Sequence, residues 1–421
     1  MEAHLAGCPP CSANLAFIHW VDAGLRDPEV WEIADRDASH IRAAIRDAAA
    51  QVAAEDDEAE RLLHELIAIP GRLAFSNLGA RRRYHTAGVV RRLLRAADVA
   101  CDSAPLDALT FADSAIAVSE RLTGYPPSVV HDLRANAWKE RANALTTLGQ
   151  YDAALDALDH AEREFDRAPG IPLGRAVVQH ARAIVYAHRG DFNRAGKVAS
   201  ETIAAYAQLG QTDRYMRARH LMANLLFTQG DIRGASAIYE ELLAWGEAEG
   251  DLHWVARASN TLGRCALELG NTSAAVQSFH KSIAAFRELG MSAEVLRPEW
   301  GMALVVLASD QPAEALRRLD RVRAAFHTRS MLTDEALVSL DMMDALHALA
   351  RDSEIVALAT QIIQTFTRAG MLTSALTAFA YLKEAATRGA VTPRLTKHVR
   401  DFLSDLERQP ALLFCPPNEN I

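Results

Sequence analysis

Cysteine is scarce in this chain, with five in 421 residues. Cys8 and Cys11 lie close together, whereas Cys101, Cys265 and Cys415 are scattered. The sequence therefore holds no secreted disulfide framework, and a reducing compartment is expected. Long apolar runs are missing too. None approaches the roughly 18–20 residues that span a bilayer, and no cationic stretch followed by an apolar run opens the chain as a secretory signal would. These absences point to a cytoplasmic protein with no membrane partner. Aromatics are only 6% and alanine is abundant, a composition of packed helices that excludes a β-sandwich. Enzyme signatures are also lacking. There is no Gly-x-Ser-x-Gly, no Gly-x-Gly-x-x-Gly, no phosphate-loop Gly-Lys-Ser/Thr and no His-Glu-x-x-His. A non-enzymatic protein is expected.

What is present is an ordinary folded composition, 50% hydrophobic and 24% charged. That excludes wholesale disorder. Lys and Arg number 45 against 54 Asp and Glu, so the formal charge is −9. A net acidic chain is a poor general polyanion binder, and direct contact with nucleic acid is not expected.

A repeat carries the architecture. Gly190, Gly230 and Gly270 are spaced 40 apart, as are Gly210, Gly250 and Gly290. Met291, Met331 and Met371 continue the second series, and Gly149 joins the first with a 41-residue step. Apolar residues recur at three- and four-residue steps on both sides of Gly230, which reads as two helices around a turn. The Gly-Asp or Gly-Asn step supplies a left-handed turn and then a helix-starting side chain. Each unit is thus an αα-hairpin, and a period of this size signals a solenoid.

Small residues recur in register with the turns. Ala142, Ala183, Ala223 and Gly263 stand seven residues before Gly149, Gly190, Gly230 and Gly270; Ala154, Ala195, Ala235 and Ala275 stand five after them. In this the chain resembles the tetratricopeptide repeat (TPR) family, which places small residues where its paired helices pack closest. Trp138 matches the large apolar position opening the first helix of that unit. A HEAT-like array has about this period, but the turn and the Ala spacing favour the TPR reading. Four units over 131–290 match well. Units 291–330 and 331–370 keep the period with Asp310 and Ala350 in place of the turn Gly, and a degenerate unit runs from Tyr84 to Leu122. The repeat exceeds the family length, so longer helices or longer linkers are expected. The fold expected is all-α, an α-solenoid of about six to seven helix-turn-helix repeats with an N-terminal helical extension. Its parts are residues 1–19, a helical extension 20–83, the solenoid 84–390, and a capping helix (Pro393–Leu406) with a loose tail in 391–421.

Residues 1–19 hold His4-x3-Cys8-x2-Cys11. Two thiolates across a Pro-containing turn, with a His one helical turn earlier, are a ligand set for tetrahedral Zn²⁺. The spacing resembles the zinc-binding anti-sigma domain, whose members bind an alternative sigma factor. That resemblance implies zinc as a cofactor and a sigma factor as partner. The family's first ligand lies further upstream than Met1, so the segment reads as a truncated zinc site or a three-ligand remnant. A thiol-redox pair is a third reading, without the βαβ context such pairs have.

In TPR arrays the first helices of the hairpins line the concave face, at thirteen, ten and six residues before the turn. Here those positions hold Asn136, Lys139 and Asn143; Val177, His180 and Ile184; Arg217, His220 and Asn224; Arg257, Asn260 and Arg264; then Arg297 and Trp300. The row contains no carboxylate. Asn can donate to and accept from a peptide backbone, and Arg or Lys can hold a carboxylate. The groove is therefore expected to bind a peptide or protein segment, with Lys139 and Asn143 at positions that form carboxylate clamps in some family members. A second basic cluster, Arg81–Arg83 with Arg91, Arg92 and Arg95, reads as a solvated face or a site for an acidic surface. The alternatives to an anti-sigma-like regulator are a general TPR scaffold or peptide receptor with a vestigial N-terminus, and an oligomerising structural array. Purified protein is expected to carry zinc that is lost in Cys8→Ala and Cys11→Ser; elemental analysis showing no metal even in the parent chain removes the zinc reading.

Overall fold

In a computed structural model the described residues are 46–47, 49–64, 78–101, 103–167, 172–368, 373–408 and 412–417. They are helical almost throughout, without a strand among the described residues. Helix α1 covers residues 49–64. After two 3-10 turns come α2 (Ala87–Ala100) and α3 (Pro105–Ser119), then α4 (Pro127–Thr147) with α5 (Tyr151–Asp166), and α6 (Pro172–Arg189) with α7 (Phe192–Gln208). The series continues as α8 (Thr212–Thr228) with α9 (Ile232–Glu249), and α10 (Leu252–Glu268) with α11 (Thr272–Glu288). Next are α12 (Leu296–Ala308) with α13 (Pro312–Thr328), and α14 (Leu332–Ala348) with α15 (Asp352–Arg368). Helices α16 (Thr373–Thr387) and α17 (Pro393–Arg408) end it. Each helix packs on the one before and the one after, as a TPR-like α-solenoid requires.

The period comes from the turns. Gly190, Gly210, Gly230, Gly250, Gly270 and Gly290 all have φ between 62° and 85°. At Gly230 the amide donates to the Phe227 carbonyl and the next amide, Asp231, to the Leu226 carbonyl, which satisfies the last carbonyls of α8. Asp231 then accepts from the Gly234 amide at 2.9 Å and starts α9. The beat outlives its glycines. Asp310, Ser330 and Ala350 hold φ of 57°, 57° and 54°, and the Ala350 and Arg351 amides repeat the same pair of bonds. Helices of 17 or 18 residues fill the intervals from α7 to α11 and from α13 to α15. Longer helices, not longer linkers, thus account for the extended repeat.

The small residues sit at the crossings. Ala142, Ala183 and Ala223 are wholly buried, and so are Ala154, Ala195, Ala235 and Ala275. Ala303 and Ala315 continue both rows into the unit that lost its glycine. At Gly263 an added Cβ would stand 2.6 Å from the Phe279 ring, so the missing side chain on α10 makes room for the aromatic ring of α11. Trp138 does not open its helix: α4 begins at Pro127, and Trp138 lies mid-helix with its ring stacked on His160 at 4.3 Å.

Both ends are covered. Ala59 and Leu63 of α1 join the core under Val89, Val90 and Leu93 of α2. The same contact accounts for Arg91, Arg92 and Arg95 of the second basic cluster. Arg91 donates to Asp56 at 2.8 Å, Arg95 to Asp56 at 2.9 Å and Arg92 to Glu60 at 2.9 Å. The acidic surface these arginines meet belongs to the chain itself. At the other end the described segment between α17 and the expected loose tail Cys415–Ile421 is packed, and of that tail only 415–417 are described. Phe414 lies against the rings of Tyr381, His398 and Phe402, and the Cys415 carbonyl meets His398 Nε2 at 2.8 Å.

A left-handed Ala costs about 1–2 kcal/mol relative to Gly, and both Gly230 and Ala350 are exposed. Ala350→Gly is therefore expected to raise stability by about 1 kcal/mol and Gly230→Ala to lower it by about as much, measured by chemical denaturation. The same sign for both would contradict the shared turn geometry.

Candidate functional site

Helices α4, α6, α8, α10, α12 and α14 repeat the same inner stripe because their turns fall in register. Positions thirteen, ten and six before a turn lie three and four residues apart, hence on one face. On α8, Arg217 is exposed and His220 half-buried beneath it; on α10, Arg257 is exposed beside half-buried Asn260. The stripe on the other side of each helix is core: Ala223 and Leu225 on α8, Ala258 and Leu262 on α10.

Between α8 and α14 this inner wall encloses a cavity of about 660 Å³. His220, Arg257, Asn260, Arg264 and Arg297, five of the ten groove residues expected from the register, line it together, with Trp300 beside them. The remaining five lie outside its lining. Lys139 and Asn143 are brought together, but around the chain's own carboxylate: Glu140, which is buried, takes Lys139 Nζ at 2.5 Å and Asn143 Nδ2 at 2.9 Å. Asn224 accepts from the Tyr239 hydroxyl at 2.5 Å and faces His220 Nε2 at 3.5 Å. His180 packs near the Tyr206 ring.

The row holds no carboxylate, yet the groove does. Helix α12 starts late, so Arg297 stands in its first turn and reaches back to Glu294 at 3.6 Å and across to Asp334 at 3.5 Å. Buried Asp341 of α14 accepts from Trp300 Nε1 at 2.6 Å and from Arg400 at 2.5 Å. Arg400 also meets Asp344 at 3.2 Å, and the Thr396 hydroxyl donates to Asp344. Most of these partners were not legible in the register: Asp334 and Asp341 stand off the expected positions and Arg400 and Thr396 come from the terminal helix, whereas Asp344 stands six residues before the Ala350 turn. In contrast, no carboxylate of the described residues pairs with Arg217, Arg257 or Arg264. Arg264 instead covers the Phe227 ring at 4.8 Å.

Burial and cations act together on the two inner histidines. Burial first, then Arg214, Arg217, Lys139 and His220, push His180 down to about 4. Burial and Arg257 push His220 down to about 4. Both imidazoles are therefore neutral near pH 7 and present one donor and one acceptor each. Burial pushes the Asp341 carboxyl up to about 6, against the opposing pull of Arg400 and the Trp300 hydrogen bond.

His4, Cys8 and Cys11 lie outside the described residues. Among the described residues no group of three or more His, Cys, Asp or Glu is placed to hold a metal ion. No described helix is long and apolar enough to cross a membrane.

Residues 214–288 match the tetratricopeptide repeat family model, and the inner wall from Arg217 to Arg264 falls inside that match. No curated protein matches the sequence. Among solved structures, the apo form of the quorum sensor NprR from B. thuringiensis is similar with a TM-score of 0.54 at 13% identity, covering 86% of this chain and 99% of that one. Aspartyl phosphate phosphatase F from Bacillus subtilis is similar with a TM-score of 0.53 at 12% identity, covering 72% of this chain and 74% of that one. At these identities the likeness is one of fold.

The depressed histidines set a sign. The unfolded chain takes up these protons near the ordinary value of 6.5, the folded chain only near 4, so their share of stability is present above 6.5 and lost as pH falls toward 4. Asp341 acts oppositely, favouring the fold as pH falls through about 6. The denaturation midpoint of the parent chain is thus expected to fall more steeply from pH 6.5 to 4 than that of a His180→Gln, His220→Gln variant. Parallel curves would show that neither imidazole is held neutral.

Proposed function

We propose that this chain is a non-enzymatic regulatory interaction protein that holds a peptide or an extended protein segment in its concave groove. The observation that carries the reading is the cavity between α8 and α14, where Arg257 and Arg264 lack carboxylate partners among the described residues and stand beside Asn260, His220 and Trp300. Cationic guanidiniums, a neutral imidazole and an amide next to an aromatic ring are what an extended polypeptide needs: charge pairing, backbone hydrogen bonds and apolar contact. One fold neighbour is a quorum sensor, and extending signal recognition to this chain rests on that inner-wall chemistry rather than on the likeness. Cytoplasmic location goes with this reading.

A second reading adds an N-terminal zinc-holding segment that engages an alternative sigma factor. Its support is the spacing of His4, Cys8 and Cys11. Co-purification of a sigma factor with the parent chain, lost in Cys8→Ala, would sustain it; no retention in either rejects it.

For the groove reading, a randomised peptide pool is expected to be retained by the immobilised protein. Arg217→Glu with Arg257→Glu should lower retention at least about tenfold, about 1.4 kcal/mol, with helicity by circular dichroism unchanged. Both side chains are exposed, so folding is not at stake. Undiminished retention would refute the groove as the site.

A further inference from the structure

The terminal helix does not continue the solenoid. In the regular units a second helix packs between its own first helix and the next one, whereas α17 packs on its own first helix, α16, and on the preceding one, α14. Leu395, Val399, Phe402, Leu403 and Leu406 bury its apolar face in the end core. This places Arg400 on Asp341, and Arg400 is itself part of the cavity wall. The inner stripe of α14 is thereby covered, and the groove is closed at this end.

The closed end and the open reach differ in charge. At the closed end Glu294 and Asp334 converge on Arg297, and Asp341 and Asp344 converge on Arg400. Glu268 joins Glu294, Asp334 and Asp341 as the fourth carboxylate lining the cavity, and Arg264 adds a further cation near Asp341. Toward α6 the balance reverses. Arg214, Arg217 and Lys139 all act on His180, and Arg257 acts on His220. Of these Lys139 is neutralised by Glu140, while Arg217 and Arg257 have no carboxylate partner among the described residues. The Asn260 side-chain oxygen, on the cavity wall between the two regions, has no hydrogen-bond partner among the described residues and calls for a donor.

We infer that the groove is a blind-ended, polarised receptor that takes a short peptide end-on, its cationic amino end toward Glu294, Asp334 and the α17 wall, and its acidic part over Arg257 and Arg217. A chain passing through would run into Arg400. A chain in the opposite direction would set its carboxylates against the acidic end and its amine against the unpaired arginines, and like-charge juxtaposition is what rejects a wrong guest. This inference rests on the peptide-groove reading above and adds direction and end-on entry to it.

The test uses the full chain and two peptide pools of identical composition, labelled at a central side chain. One has lysines at the amino end, a randomised apolar middle and glutamates at the carboxyl end; the other has the reverse order. The forward pool is expected to bind about tenfold tighter, and acetylating its amino terminus should weaken it. Glu294→Gln with Asp334→Asn should erase the preference, with helicity as the control for folding. Equal binding of the two pools, or tighter binding of the reversed one, overturns the polarity while the groove reading stands. If the forward pool binds as well when flanked by folded domains on both sides, the blind end is wrong. Retention of neither pool defeats the groove reading and this inference with it.

Discussion

A left-handed backbone turn every twenty residues is the constraint on which the rest depends. It fixes helix length, and equal helix lengths keep successive inner stripes in phase. Only because Gly190, Gly230 and Gly270 recur at one interval do His180, His220 and Asn260 stand at equivalent heights on neighbouring helices. A residue inserted within one of these helices, between its stripe and its turn, would rotate that stripe by about 100° out of line with its neighbours. The fold keeps the turn even at Asp310, Ser330 and Ala350, where each non-glycine residue bears a steric cost of about 1–2 kcal/mol. Tertiary packing on both sides outweighs that cost, which shows that the phase is held by the array as well as by the local sequence.

That hierarchy explains what was legible in the sequence. Glycine spacing and the rows of alanine report backbone geometry directly, so the hairpins and the crossings could be read from them. The inner stripe followed by counting back from each turn. Counting says nothing about partners, however. Glu140 is adjacent in sequence to Lys139 and claims it together with Asn143; the pattern of a clamp survives while its carboxylate comes from within. Arg91 and Arg95 are answered by Asp56, some thirty-five residues earlier, a distance at which no periodic rule operates. Arg400 was hidden for the same reason. Its helix reads as an outer cap from its apolar face alone, and only the position of α14 reveals that the face turns inward.

The groove's electrostatics follow from where water is excluded. Neutral imidazoles lie under the exposed arginines because protonating them would bury charge among like charges. The arginines themselves stay in solvent, where an unpaired guanidinium costs little. At the other end Asp341 is buried and therefore paired with Arg400, since an uncompensated buried ion is far more costly than a satisfied one, while Glu294 and Asp334 meet Arg297 in partly exposed pairs. The same wall thus has a hydrated cationic half and an acidic half, dry at Asp341 and partly exposed at Glu294 and Asp334.

The dry part of that acidic half also anchors the array's weakest point. A solenoid is stabilised by nearest neighbours, and its last repeat lacks one. Helix α17 supplies that missing surface with its apolar face, and the Arg400–Asp341–Trp300 cluster fixes how it lies. Apolar burial alone is non-directional and would allow the helix to slide along the end core. The guanidinium bridging Asp341 and Asp344, with Thr396 also on Asp344, selects one placement, because any shift would strand a buried carboxylate. The terminal cap is consequently also the end wall of the groove: the requirement to finish the repeat and the shape offered to a guest are met by the same few side chains.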